Sequence, residues 1–146
     1  MAIISRTCPG WVRQTLENSC WAAVLESWSR ADPRMMRLRQ QSLIATWGEG
    51  PTGGITPVTK IPQIAAAYNL QWGGFRSGEL TGFLTNHLAS SYIFCAYTIP
   101  GWTHAVLIYR LRDNDVAFMD PDYGRYRVKS LTWIENHGPF AVMRLR

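Results

Sequence analysis

The chain has 146 residues, of which 47% are hydrophobic and 17% charged, and its formal net charge at pH 7 is +5. This composition is typical of a globular domain and excludes an intrinsically disordered chain. The three cysteines are too few for a disulfide scaffold, and the longest apolar runs are too short to span a bilayer. We therefore expect a single domain over residues 1–146.

The first half of the sequence predicts a series of helices. Good helix formers and apolar residues at three-and-four spacing mark four segments, residues 19–30, 33–47, 59–70 and 77–90. Ser19, Thr59 and Ser77 are the expected N-caps, and Pro62 is tolerable in a first turn. The glycine- and proline-rich residues 48–57 predict a loop between the second and third helices.

The second half predicts strands. Runs rich in β-branched and aromatic residues occupy positions 92–99, 102–111, 116–120, 124–131 and 140–146. Helices followed by strands indicate an α+β fold instead of alternating βαβ units. We expect the strands to form one antiparallel sheet, with the helix that begins near Cys20 packed across it.

The first predicted helix carries a cysteine in its first turn, directly after the capping Ser19. The unpaired N–H groups and the positive dipole end of a helix favour an anion, so they favour the thiolate of Cys20 over its thiol. The thiolate is the nucleophilic form of cysteine. A lone cysteine at such a place is more often a small core residue, so the interpretation depends on its partners.

A nucleophilic cysteine needs a histidine as general base and later as general acid. His104 stands at the head of a predicted strand, directly after a turn that contains Pro-Gly. This position holds the imidazole firmly at the edge of a cleft. His87 is expected near an exposed helix end and His137 in a loop, so His104 is the predicted partner of Cys20.

The histidine in turn needs an acceptor that orients its second ring nitrogen. Asp120 ends the next predicted strand, and His104 and Asp120 lie symmetrically about residue 112. In an antiparallel pair joined by a short turn, this spacing predicts that they lie roughly opposite each other. Asp122 and Asp115 are assigned to turns.

Gln14 precedes Cys20 by six residues. A loop that curls back brings its amide N–H towards the carbonyl that Cys20 attacks, and the backbone N–H of Cys20 is the second expected oxyanion donor.

The motif Gln-x5-Ser-Cys-Trp-Ala at residues 14–22, followed by His-Ala-Val at 104–106 and Asp-Pro at 120–121, resembles the papain-like cysteine proteases. The compact size is similar to small bacterial members, such as the leader-cleaving peptidase domains of bacteriocin exporters and certain secreted effector proteases. The resemblance implies a papain-like fold with a Cys-His-Asp triad at these motifs. Asn18 stands where plant-type members have glycine.

We therefore expect a cysteine peptidase that cleaves a peptide or isopeptide bond through a thioester acyl-enzyme, and that suits a bacterial effector or toxin. Trp21 and Trp102 are expected to wall the substrate cleft. The same triad also serves peptidoglycan amidases, deamidases and acyltransferases, so these activities stay open. A non-catalytic papain-like binding module is the alternative from a different class.

The expected partners are a peptide or protein substrate and, for a toxin, an immunity or chaperone protein. No spacing of metal ligands is present, so we expect neither a metal nor another cofactor. Four arginines within residues 30–39 are interpreted as a solvated helix face, so no nucleic acid is expected. Without an ordinary secretory signal, the chain is expected in the cytoplasm as synthesised, and a non-classical secretion route stays open.

Overall fold

A computed structural model describes residues 3–74 and 78–146 of the chain. The strands of these ranges are β1 (Ile3–Ser5), β2 (Leu70–Gly74), β3 (Ile93–Ile99), β4 (Trp102–Arg112), β5 (Asp115–Asp120), β6 (Arg125–Ser130) and β7 (Ala141–Leu145). The helices are α1 (Cys20–Ala31), α2 (Gln40–Trp47), α3 (Pro57–Ala67), α4 (Leu80–His87) and α5 (Leu131–Asn136).

The strands form one antiparallel sheet in the order β2-β7-β3-β4-β5-β6, and the short β1 pairs with the end of β4. The α+β class and the antiparallel sheet predicted from the sequence are confirmed. The strand β4 lies in the middle of the sheet and pairs with β3 on one side and β5 on the other. Because α1 packs against β4, the start of α1 is fixed relative to the strand that carries His104.

Both faces of the sheet are buried. One face of β4 carries Ala105 and Leu107 in a core shared with α1, and the opposite face carries Val106 and Ile108 in a core shared with α4 and α5. The helix α1 is buried along residues 20–29. A helix enclosed in this way has little freedom to shift along its axis, so its first residue keeps a fixed place.

Several predicted boundaries in the helical half are wrong. The helix predicted over residues 33–47 begins only at Gln40. The carboxylate of Asp32 accepts the backbone N–H and the side chain of Arg34, and these bonds hold the intervening chain in a turn. The strands β1 and β2 and the helix α5 were not expected.

The third helix also differs from the prediction. Thr56 is its N-cap in place of Thr59, and Pro57 occupies the first helical position, where a missing N–H costs nothing. Glu49 accepts both the backbone N–H and the hydroxyl of Thr56, so the helix starts three residues earlier than expected. Pro62 therefore lies inside the helix. The predicted cap Ser77 of the fourth helix lies outside the described residues.

The loop that leads into α1 is tied to α2 by one buried side chain. Gln40 is only 4% exposed. Its Oε1 accepts the backbone N–H of Thr15 at 2.9 Å and the hydroxyl of Ser19 at 2.9 Å, while its Nε2 donates to the carbonyl of Arg13 at 3.0 Å. Three points of the loop before Cys20 thus share one partner.

Replacing Gln40 by alanine should lower the free energy of unfolding by about 1 to 3 kcal/mol, because buried donors on the loop lose their acceptor. Urea denaturation monitored by tryptophan fluorescence measures the change. The neighbouring Gln41 is exposed, so Gln41→Ala is the matched control and should stay within about 0.5 kcal/mol. Equal stabilities of the two variants would contradict this account of the loop.

Candidate active site

Cys20 is the first residue of α1 and is 8% exposed. The hydroxyl of the N-cap Ser19 is engaged by the loop, since it accepts the N–H of Leu16 and donates to Gln40. The backbone N–H of Cys20 is therefore among the helix-start donors that an incoming anion or carbonyl oxygen can use. The sulfur sits at the positive end of a buried helix.

His104 and Asp120 form a short buried hydrogen bond. The Nε2 of His104 lies 2.7 Å from the Oδ1 of Asp120, and the two side chains are 4% and 1% exposed. The sequence spacing predicted that they lie roughly opposite each other, and the structure offsets them by two residues. Leu107 pairs with Met119, so Asp120 is placed across from Val106, and His104 is its diagonal neighbour on the same face of the hairpin.

The ring of His104 has its other nitrogen available. Within the described residues, the buried Nδ1 has no hydrogen-bond partner at bonding distance. Since Nε2 is engaged by Asp120, the influence of the nearby Cys20 thiol on the imidazole acts at Nδ1. The arrangement thus brings the three residues predicted as nucleophile, base and orienting group into one cluster.

The ionisation of this cluster follows from its contacts. Burial would lower the pKa of His104, but the hydrogen bond that the ring donates to Asp120 and the neighbouring Cys20 outweigh it and raise the pKa to about 9. Burial would likewise raise the pKa of Asp120, yet its bond to the imidazole and to further donors holds that pKa below the usual value. At neutral pH, the favoured state is a protonated His104 beside an ionised Asp120.

Two further donors converge on Asp120. The backbone N–H of Asp122 donates to Oδ1 at 2.9 Å, and the Nη1 of Arg127 donates to Oδ2 at 3.2 Å. Asp122 was assigned to a turn, and its backbone indeed follows Asp120 in a turn. Arg127 was not expected at the site. It lies two residues along β6 from Arg125, the Cα partner of Asp120.

A cleft opens beside the cysteine and the histidine. It has a volume of about 260 Å³, and its lining includes Cys20, His104, Trp21 and Trp102. The two tryptophans expected to wall a cleft do lie at this one. Trp21 is almost fully buried and donates from Nε1 to the carbonyl of Gly53 at 2.8 Å, whereas Trp102 is 46% exposed.

The glycine-rich loop also reaches this cleft, through Gly54 and Ile55. Asn18 lines the same wall, and its Nδ2 donates to the hydroxyl of Thr52 at 3.0 Å. A Cβ at Gly54 would come within 3.1 Å of the Cβ of Asn18, so the glycine permits the close approach of the loop. Sequence reasoning registered Asn18 only as a departure from a family motif.

Gln14 has other partners in the structure than an oxyanion site. Its Nε2 donates to the carbonyls of Leu16 at 3.2 Å and of Glu17 at 2.7 Å, and its backbone N–H donates to Pro121. The last bond ties the loop before Cys20 to the residue after Asp120. The role of Gln14 as an oxyanion donor stays a prediction.

The two other histidines lie apart from the cysteine. His137 packs its ring on Trp133 at 4.0 Å and bonds the carbonyl of Trp133 through Nδ1. His87 ends α4 and packs on Phe83. Both positions agree with structural roles.

Neither a membrane span nor a metal cluster emerges from the described ranges. Within residues 3–74 and 78–146, no helix combines the length and apolar character that crossing a membrane requires. The same ranges contain no group of three or more His, Cys, Asp or Glu side chains placed to hold a metal ion.

Comparison with known proteins gives a match in structure. No protein-family model and no curated protein matches the sequence. The peptidase domain of Streptococcus ComA, a bifunctional ABC transporter involved in quorum sensing, matches with a TM-score of 0.67 and 16% identity over 94% of this chain and 98% of that one. A putative C39-like peptidase from Bacillus anthracis matches with a TM-score of 0.71 and 10% identity over 100% of this chain and 98% of that one. The fold is therefore that of the papain-like C39 peptidases, as the sequence resemblance implied.

The raised pKa of His104 predicts a pH dependence of stability. Its protonation stabilises the fold fully below pH 6.5, and this contribution is lost as the pH rises through about 9. The free energy of unfolding should fall by roughly 3 kcal/mol across this window. In Asp120→Asn the charged acceptor is absent. Urea denaturation should therefore give a lower free energy of unfolding than in the wild type at pH 6, and a smaller decrease of this free energy as the pH rises to about 9. Equal falls in both proteins would contradict the assignment.

Proposed function

We propose that this protein is a cysteine peptidase, with Cys20 as nucleophile, His104 as general base and acid, and Asp120 as the group that orients His104. The observation that carries the proposal is the buried 2.7 Å bond from His104 to Asp120, with the free Nδ1 of the same ring beside the thiol at the start of α1. The C39-peptidase fold supports it.

The proposed reaction has two steps. The Cys20 thiolate attacks the peptide carbonyl carbon, the C–N bond breaks, and the imidazolium of His104 gives its Nδ1 proton to the leaving amine. His104 then takes a proton from water, the resulting hydroxide attacks the thioester, and the acid leaves as Cys20 is restored. The backbone N–H of Cys20 is one proposed oxyanion donor. Gln14 is the second proposed donor. To reach the oxyanion, its side-chain amide has to give up its hydrogen bond to the carbonyl of Leu16 or of Glu17.

The proposed substrate is a peptide with a large apolar side chain near the scissile bond. A second cavity, of about 410 Å³, adjoins the cleft and shares Pro57, Ile61, Thr103 and Phe140 with it. This groove extends past Val58, which is 80% exposed. Because the two cavities share lining residues, we expect an extended peptide whose carbonyl lies at Cys20 to place a neighbouring side chain in this groove. Trp21 and Trp102 are proposed to contact the substrate.

The biological role expected from the sequence is compatible with a peptidase. The protein would act as a bacterial effector or toxin, and an immunity or chaperone protein would bind it. Such a partner would block access to His104 if it covered Trp102, because the centres of the two rings lie 6.0 Å apart.

The activity is tested on a peptide library read by mass spectrometry. Cys20→Ala and His104→Ala should each lower cleavage by about 1,000-fold or more, because the nucleophile or its proton shuttle is lost. The exposed Cys8 offers the matched control, and Cys8→Ala should retain activity.

The same variants separate the alternatives. Cys20-dependent cleavage of peptidoglycan cross-links, or Cys20-dependent deamidation of glutamine without peptide cleavage, would contradict the peptidase assignment while keeping the triad. Unimpaired binding by Cys20→Ala together with no turnover by the wild type would favour a binding module.

The apolar groove gives a second prediction for the enzyme. Val58→Asp should raise KM for peptides with a large apolar side chain by about 10-fold, since burying that side chain then desolvates a carboxylate. The rate of alkylation of Cys20 should not change. Met36→Asp alters another exposed apolar residue and serves as the control. Equal KM values in the two variants would show that the substrate does not use this groove.

A further inference from the structure

The strand next to Asp120 contributes a cation to the site. Arg127 on β6 donates from Nη1 to the Oδ2 of Asp120 at 3.2 Å, while Oδ1 faces His104. The two carboxylate oxygens thus have different partners. Arg127 is the Cα partner of Phe118 and therefore lies on the same face of the β5–β6 pair as Asp120, two residues along the strand.

We propose that Arg127 is a positioning residue, which holds the carboxylate of Asp120 so that the imidazole of His104 keeps its Nδ1 directed at Cys20. The proposal rests on the proposed function, because it assigns a further residue to the same site. Arg127 itself acts through Asp120 and touches neither the thiol nor the scissile bond.

The carboxylate needs this donor because it is almost fully buried. Asp120 is 1% exposed, and its Oδ1 already accepts from His104 and from the backbone of Asp122. Within residues 3–74 and 78–146, Arg127 supplies the side-chain donor on Oδ2, so its loss would leave a buried charged oxygen without that bond, which is costly. The carboxylate would then turn towards water or towards another donor, and the bond to His104 would lose its geometry.

Arg127 is itself held in place by an aromatic ring. Its guanidinium carbon lies 5.7 Å from the ring centre of Trp133 on α5. The same ring contacts Tyr97 edge-on at 5.7 Å, and Tyr97 contacts His104 edge-on at 5.6 Å. One aromatic pair therefore lies against both the imidazole and the guanidinium, and it limits the movement of the two partners of Asp120.

The ionisable groups that surround His104 come from several elements. Cys20 faces it from α1, Asp120 from β5, and the phenol Tyr97 from β3. Burial raises the pKa of Tyr97, so this phenol is neutral across the working range. His137 on the α5 side contacts Tyr97 at 6.0 Å. Two cations of β6 lie at the same aromatic cluster: the guanidinium carbon of Arg127 is 5.7 Å and the Nζ of Lys129 is 5.0 Å from the ring centre of Trp133.

Two roles of Arg127 predict opposite changes at His104. If Arg127 positions Asp120, its removal weakens the bond that stabilises the imidazolium, and His104 releases its proton at lower pH. If Arg127 acts only as a nearby positive charge, its removal stabilises the imidazolium, and His104 releases its proton at higher pH. If Arg127 serves only the stability of the fold, its removal leaves the pH at which His104 releases its proton unchanged.

Alkylation of Cys20 by iodoacetate distinguishes these roles without any substrate. The carboxylate of the reagent is drawn to the imidazolium, so the rate falls as His104 loses its proton. For Arg127→Ala, we expect a maximum rate of Cys20 alkylation about 10-fold lower than in the wild type. The alkaline edge, which is the pH where the rate falls through half of its maximum, should lie about one pH unit lower. Mass spectrometry measures the rates between pH 5 and 10. Arg127→Lys keeps the positive charge and an N–H donor group, so its alkaline edge should lie between those of Arg127→Ala and the wild type.

Arg125→Ala is the matched control. Arg125 lies on the same strand, directly across from Asp120, but its guanidinium carbon lies 5.9 Å from the ring of Tyr123. It removes the same charge and should leave the profile unchanged. Circular dichroism confirms that each variant is folded, and Arg127→Lys carries the test if Arg127→Ala does not fold.

The outcomes distinguish the positioning role of Arg127 from the proposed peptidase activity. An alkaline edge that stays in place or moves to higher pH in folded Arg127→Ala, or that moves to higher pH in Arg127→Lys, overturns the positioning role and leaves the peptidase intact. A wild type whose Cys20 reacts no faster than the exposed Cys8, and whose alkylation rate shows no alkaline edge, overturns both.

Discussion

The buried carboxylate of Asp120 is the constraint on which the rest of the site depends. An ionised group that is 1% exposed persists only when donors replace the water it has lost. Here the donors come from the imidazole of His104, from the backbone directly after β5, and from Arg127. Three neighbouring strands must therefore be in register before the carboxylate is satisfied, so assembly of the site is linked to folding of the sheet.

Cys20, the proposed nucleophile, is positioned by a different part of the fold. Cys20 is placed by α1, whose body lies in the core against β4. The loop before it is fixed twice, by Gln40 on α2 and by the bond from the backbone of Gln14 to Pro121. The second bond joins the segment before the cysteine to the segment after the aspartate. The segment that carries Cys20 and the segment that carries Asp120 are thus connected directly by this hydrogen bond, in addition to the chain between them.

Much of this was readable from the sequence, for physical reasons. The helix start at Cys20 is marked by Ser19 and a run of good helix formers, and the strand that carries His104 is marked by its apolar run after a turn. Helix boundaries were less predictable, because the turn at Asp32 and the start at Pro57 depend on side-chain bonds to Arg34 and Glu49. Arg127 was missed, since an arginine on an alternating strand looks solvent-facing until the neighbouring strand is known.

If Asp120 and Cys20 hold His104 as an imidazolium in the resting protein, NMR titration of the ring will show it. With labelled histidine and His104→Gln for assignment, the His104 resonance should titrate at about 9. His87 is an internal reference, because burial and Arg144 lower its pKa below the usual value. A His104 signal that titrates at or below 6.5 in the folded protein would contradict the account, since the ring would then lack the partners that define the site.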